Sequence, residues 1–189
     1  MPPLCFVPKP EATPVPLVFY PTARSPKFDF FAAGPLQVID ARTQEVVLQV
    51  QVPSSLKKAL LIFLPAEAGW AGPARYRVQV VDDGEASQAA GTLRILNLSG
   101  VELSGNVNRT PVRLQAGLNE PLRVGGTARI VLRTPCNGRN YQSYADDLPI
   151  GPDTRGLLLL LPPYRRGSVE VQSRALFDFG VPPSKADRR

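Results

Sequence analysis

Apolar side chains recur at every second position along much of this chain. In residues 46–52, Val46, Leu48, Val50 and Val52 fall on one side of an extended backbone, and Gln49 and Gln51 fall on the other. That is the period of a strand buried on one face. Residues 76–81 repeat it, with Tyr76, Val78 and Val80 set against Arg77 and Gln79. The second half follows the same rule: Leu93 and Ile95 oppose Arg94, and Val112 and Leu114 oppose Arg113. Ala128, Ile130 and Leu132 oppose Arg129 and Arg133, while Val169 and Val171 oppose Glu170 and Gln172. The pattern is clearest in residues 91–124, where short alternations are broken by Ser-Gly, Asn and Ala-Gly turns. No window sustains an i, i+3, i+4, i+7 apolar stripe without a proline or glycine inside it, so no helix of ten or more residues is expected. The predicted fold class is all-β: an antiparallel β-sandwich, immunoglobulin-like in style, with two sandwich units in tandem as its extended form.

Two runs depart from alternation. Residues 59–64 (ALLIFL) and 157–161 (LLLLL) are apolar at every position, and each stops at a proline. Runs this short and apolar on both sides predict central strands covered on both faces. On that reading Leu159 lies in the core, and a carboxylate placed there would abolish folding. Arg155 before the leucines, and Pro162, Pro163, Arg165 and Arg166 after them, have the character of gatekeepers against aggregation. Each run leads through a glycine-containing loop into a further strand (RYRVQVVDD and SVEVQSRALFD). This echo raises a duplicated unit with a boundary near residues 87–91. The expected organisation is a proline-rich arm at 1–16, a first β unit at 17–88, a second at 89–180 and a basic tail at 181–189. Residues 17–20 and 28–31 are the candidate first strands.

Composition narrows the chemistry. The 21 prolines flank apolar runs and fit short strands joined by stiff loops. There is no histidine, which excludes a histidine-dependent nucleophile triad and any imidazole-ligated metal or haem. Cys5 and Cys136, the two cysteines, are too few for a four-cysteine zinc or iron-sulfur site. They are either a disulfide formed in an oxidising compartment or two separate thiols. Residues 1–90 carry eight basic and eight acidic side chains, whereas residues 91–189 carry fourteen and eight. The net charge of +6 therefore lies wholly in the second half. It reads either as a solvated face or as a surface for an anionic partner. The longest apolar runs are far short of the roughly 20 residues that a helical membrane span needs.

Candidate sites sit in the turns and loops. Asp82-Asp83-Gly84-Glu85 is rich in oxygen but lacks the spacing of an EF-hand loop, and Asp-Gly is ordinary turn chemistry. Asp146-Asp147 and Asp153, read as loop residues beside Tyr141 and Tyr144, offer a carboxylate pair of the kind glycoside hydrolysis uses. Asn97-Leu98-Ser99 and Asn108-Arg109-Thr110 match the glycosylation sequon. The stretch CNGRNYQSY (136–144) and the loop Pro163-Tyr164-Arg165-Arg166 are the most ligand-like. Tyrosine joins an apolar face to a polar tip, and arginine offers a planar fork for carboxylates and phosphates. The contact residues expected are Arg139, Tyr141, Tyr144, Tyr164, Arg165 and Arg166, provided that the two loops meet at one end of a sandwich. Trp70 is a further stacking candidate.

At GTLRILNLSG (91–100), VRLQAG (112–117) and RGLLLLLPPYRRGSVEVQSR (155–174) the chain resembles a loosely defined group of uncharacterised bacterial proteins that are all-β and predicted to be exported. The resemblance covers the last half well and the first half in rhythm only. It implies an extracytoplasmic β-sandwich, in the periplasm or at the cell surface, and assigns no residue a role. The N-terminal MPPLCFVPKPEATPVP has neither the basic start nor the apolar stretch of a secretory signal, so a cytoplasmic location is the alternative. The chain is more distantly similar to immunoglobulin-like accessory modules, although Cys5, Trp70 and Cys136 lack their Cys-Trp-Cys spacing. The expected function is a non-enzymatic module, without cofactor or metal, that contacts a protein or cell-envelope component. A glycan-binding module, with an anionic glycan as partner, is the alternative, and a small carboxylate-dependent hydrolase comes last. Neither a membrane span nor a nucleic-acid partner is expected.

Overall fold

The computed structural model describes residues 3–9, 11–20, 23–31, 34–66, 76–165 and 167–179. Trp70, Arg166 and the tail at 181–189 lie outside the described residues. Every regular element among the described residues is a strand, as the period-two pattern requires. The chain divides into two compact units, Met1–Pro21 with Ser25–Ser87, and Thr22–Arg24 with Gln88–Arg189.

The first unit sets a four-stranded antiparallel sheet against a hairpin. The sheet comprises β1 (Leu4–Val7), β2 (Val15–Pro16), β3 (Leu36–Asp40) and β4 (Val46–Val50), in the order β2-β1-β3-β4. The hairpin pairs β5 (Ala59–Pro65) with β6 (Tyr76–Asp82). Leu4, Phe6, Leu36, Val38 and Val50 form the core, and Leu61, Phe63, Val78 and Val80 of the hairpin pack onto it. The stretch read as a proline-rich arm thus carries an inner strand. LCFV is apolar on both sides and held between prolines, and Leu4 and Phe6 are 2% and 3% exposed. The candidate first strands at 17–20 and 28–31 are not strands. Leu17 N–H donates to Leu4 O (2.8 Å) and Phe31 N–H to Pro8 O (3.2 Å). These segments contribute rings instead: Phe28 stands edge-on to Phe6 at 5.1 Å, and Phe19 to Phe63 at 5.2 Å.

The second unit is a sandwich of two sheets. One contains β7 (Thr92–Asn97), the short β10 (Gly117–Leu118) and β11 (Leu122–Arg123), β14 (Thr154–Leu161) and β15 (Gln172–Phe179). Here β10 and β11 pair with one edge of β7, and β14 lies between β7 and β15. The other contains β8 (Leu103–Val107), β9 (Thr110–Leu114), β12 (Gly126–Cys136) and β13 (Arg139–Ile150), in the order β13-β12-β8-β9. The plan is antiparallel except that β14 runs parallel to β7, because the whole β8-β12-β13 sheet is built in the crossover between them. Leu93, Ile95, Leu103, Val107, Ile130, Leu132, Ile150, Leu158 and Leu160 fill the space between the sheets. Gly105 lets two strands close on each other: a Cβ there would lie 2.0 Å from Val131 O.

The two apolar runs differ. β14 is a central strand as expected, with Leu158 turned into the sandwich and Leu157 and Leu159, on its other face, also buried. β5 is buried on one face through Ile62 and Leu64 and packs its other face on the first core. Among the described residues its only strand partner is β6, so it is half of a hairpin and not the middle of a sheet. The echo between the runs therefore extends to an antiparallel hairpin in each unit. The surrounding sheets have different strand orders.

Candidate functional site

The segment 136–144 is not a loop. Asn137 and Gly138 take φ of 50° and 74°, the two positive values of a type I′ turn that Asn-Gly favours. They join β12 directly to β13, with Cys136 opposite Arg139. Pairing then runs Pro135 with Asn140, Thr134 with Tyr141 and Arg133 with Gln142, and skips Ser143 before Leu132 meets Tyr144. Ser143 is thus the extra residue of a β-bulge. The bulge turns both Ser143 and Tyr144 inward, where they are 1% and 9% exposed.

Tyr144, expected as a contact residue, belongs to the core. Its hydroxyl donates to Asp146 Oδ2 at 3.2 Å. Burial pushes the phenol up to about 12; a hydrogen bond with Ser173 works against this, and the Asp146 carboxylate works with it. Tyr141 is different. It shares the inward side of the hairpin with Thr134 and lies two residues beyond the bulge, about 7 Å along the strand, where it is 42% exposed. Arg139 is on the same side and exposed.

Tyr164 and Arg165 lie in the loop between β14 and β15. The loop is tied at its base by Gln172 Nε2 donating to Pro162 O (2.8 Å). Inside it, Ser168 N–H donates to Arg165 O (3.1 Å) and Glu170 N–H to Ser168 Oγ (3.1 Å). Gly167 supplies a φ of 81° that a side chain would resist. Tyr164 in this loop is 87% exposed, and Arg165 beside it is exposed. Val171 N–H, at the end of the loop, donates to Ser143 O at 3.0 Å. Ile150, at the far end of β13, lies instead beside Gly156 at the start of β14. The hairpin tip and the loop therefore share one end of the sandwich, and the inner face of the tip is turned toward the sheet from which the loop rises. Arg139, Tyr141, Tyr164 and Arg165 all lie at this end, Tyr144 is buried below it, and Arg166 is outside the described residues.

The other candidates are absorbed by the fold. Asp82 Oδ1 accepts from Gly84 N–H (2.9 Å), an Asx turn, and Glu85 is 3.5 Å from Lys58. Asp146 and Asp147 lie on β13 and not in a loop; Asp147 pairs with Arg129 at 3.3 Å. Asn97 is 3% exposed, and its side chain accepts from Ser99 Oγ (2.6 Å) and donates to Val101 O (3.3 Å). Asn108 Oδ1 accepts from Arg129 N–H (2.8 Å) at the β8–β9 turn. Cys5 and Cys136 are free thiols, one in each unit. Among the described residues no three of His, Cys, Asp and Glu group as metal ligands. An open groove of about 390 Å³ runs between β9 and β11 over Ile95, Leu114 and Leu122, at the edge of the sandwich opposite β13 and β15.

Two contributors escaped the sequence reading. Gln172 has the sequence pattern of the polar side of an alternation, yet its side chain fastens the loop. Asn137-Gly138, the strongest short hairpin signal, was in view inside CNGRNYQSY and would have placed Arg139 and Tyr141 on one face of a strand. Comparison with protein-family models gives no match, and comparison with curated proteins gives none either.

Proposed function

We propose that this chain is a non-catalytic recognition module that contacts a protein or cell-envelope partner through the end of the second unit carrying Arg139, Tyr141, Tyr164 and Arg165. The observation that carries this reading is Tyr164: a large aromatic side chain, 87% exposed, on a loop fastened by Gln172 and by the Val171–Ser143 bond. Holding such a ring in water has no folding benefit, whereas a loop fastened at its base lowers the ordering cost of binding. The non-catalytic reading is supported by the absence of histidine from the sequence and by the structural partners of Asp146 and Asp147. An extracytoplasmic location goes with this reading and is checked by cell fractionation.

The test is retention on the immobilised full chain from an envelope extract of its own host. A specifically retained component should be lost with Tyr164→Ala/Arg165→Ala and kept with Arg109→Ala, on a turn of the other sheet. Retention indifferent to the first variant would remove the reading.

A further inference from the structure

We infer that the ligand at this end is an anionic polysaccharide, a chain of carboxylated or sulfated sugars. The inference rests on the reading above and names its partner class.

The first argument is the distribution of unsatisfied positive charge. Several arginines of the second unit are matched: Arg113 with Glu102 at 2.7 Å, Arg129 with Asp147 at 3.3 Å and Arg155 with Asp178. Arg109, Arg123, Arg133, Arg139, Arg165 and Arg174 have no acidic partner among the described residues, and two of them stand at the aromatic end. These are Arg139, at the hairpin turn on the same side as Tyr141, and Arg165, beside Tyr164; Arg133 lies with Arg129 on the outer face of β12. Planar guanidinium forks without internal partners suit carboxylate and sulfate groups.

The second argument is the kind of surface between those charges. Tyr141 and Tyr164, 42% and 87% exposed, supply flat apolar faces with polar rims. The face of a pyranose ring presents apolar C–H groups, with hydroxyls around its edge, and it matches such a surface. A stable protein interface needs an apolar centre that excludes water. Here the neighbouring apolar side chains, Leu160 and Val171, are buried in the sandwich, and the open apolar groove lies elsewhere. Stacking rings and unmatched arginines favour a wet, charged, linear ligand over a protein.

The experiment is titration calorimetry of the full chain with four probes: polygalacturonate oligosaccharides, chondroitin-type sulfated oligosaccharides, neutral dextran and single-stranded DNA. At least one acidic glycan should bind ten-fold or more tightly than dextran and than DNA. Tyr164→Ala and Arg165→Ala should each weaken it by about ten-fold, Tyr164→Phe should retain most of it, and Arg109→Ala should change it less than two-fold. Raising salt from about 0.05 to 0.5 M should weaken binding several-fold. Equal binding to dextran, equal binding to DNA, or acidic-glycan binding indifferent to Tyr164 and Arg165 would each overturn the inference. If no glycan binds while an envelope protein is retained and lost with Tyr164→Ala/Arg165→Ala, the polysaccharide falls and the recognition end stands. If neither depends on these residues, both fall.

Discussion

The strands β5 and β14 each carry a wholly apolar run that stops at a proline, yet one is a hairpin arm and the other an inner strand of a five-stranded sheet. Both have two covered faces. Their difference lies in the plane of the sheet, where β14 has a neighbour on each edge and β5 has β6 alone among the described residues. Facial burial and edge pairing are perpendicular properties of a strand. Apolar composition follows from the first, because side chains project from the faces. The second depends on backbone groups that every residue carries. A wholly apolar run therefore reports that both faces leave water and says nothing about how many strands it touches.

The largest effects should expose this difference. Leu158 is fully buried between two sheets, and Leu158→Ala should cost about 2–5 kcal/mol, as cavities in closed cores do. Leu61 on β5 is only half-buried, and Leu61→Ala should cost about 1–2 kcal/mol, because water can reach part of the space vacated. Leu159→Asp, on the other covered face of β14, should abolish cooperative folding of the second unit. Chemical denaturation followed by tyrosine fluorescence measures all three. Equal costs for the two alanine variants would remove the distinction between the strands.

The same separation explains what was legible in advance. Alternation at Val46–Val50 and Ala128–Leu132 follows from burial, and it gave the all-β class that the structure shows. The inner position of β1 was hidden because prolines at 2, 3, 8 and 10 look like an arm in one dimension, whereas in the sheet Pro3 and Pro8 only bound a short strand. The parallel pairing of β7 with β14 was hidden for a different reason: their register joins residues more than 60 apart, and no local pattern encodes that. At the candidate site, residue type identified Tyr164 and Arg165, which are exposed. It failed for Tyr144, whose inward turn comes from a bulge set by the register of β12 against β13.

A second contrast concerns backbone closeness. A Cβ at Gly105 would meet Val131 O at 2.0 Å, a backbone atom that cannot swing aside, whereas at Gly34 of the first unit nothing lies within 4 Å. Gly105→Ala should cost about 1–3 kcal/mol, toward the upper end, through forced displacement of β8 from β12. Gly34→Ala should be neutral within about 0.5 kcal/mol. Hydrogen exchange gives the sharper readout, since amides of β8 and β12 should lose protection in Gly105→Ala while those of β1 and β3 keep theirs.

The smallest expected effect is also the most specific to the second unit. Tyr144 holds its proton to about 12 in the folded chain because burial disfavours the phenolate, while the unfolded chain releases it near 10. The unfolded state therefore loses its proton first as pH rises. The stability contributed by the neutral, buried phenol is fully present below pH about 10 and declines as pH climbs toward 12. Tyr144→Phe cannot ionise, so its melting temperature should fall less steeply over that interval, with the wild-type and variant curves converging from neutral toward alkaline pH. At pH 7 the variant should be less stable by about 1 kcal/mol, from the lost hydrogen bond to Asp146. Parallel melting curves between pH 9 and 12 would mean that the phenol is not buried in the folded state. The bulge at Ser143 would then present Tyr144 to solvent alongside Tyr141, and the aromatic end would gain a third ring.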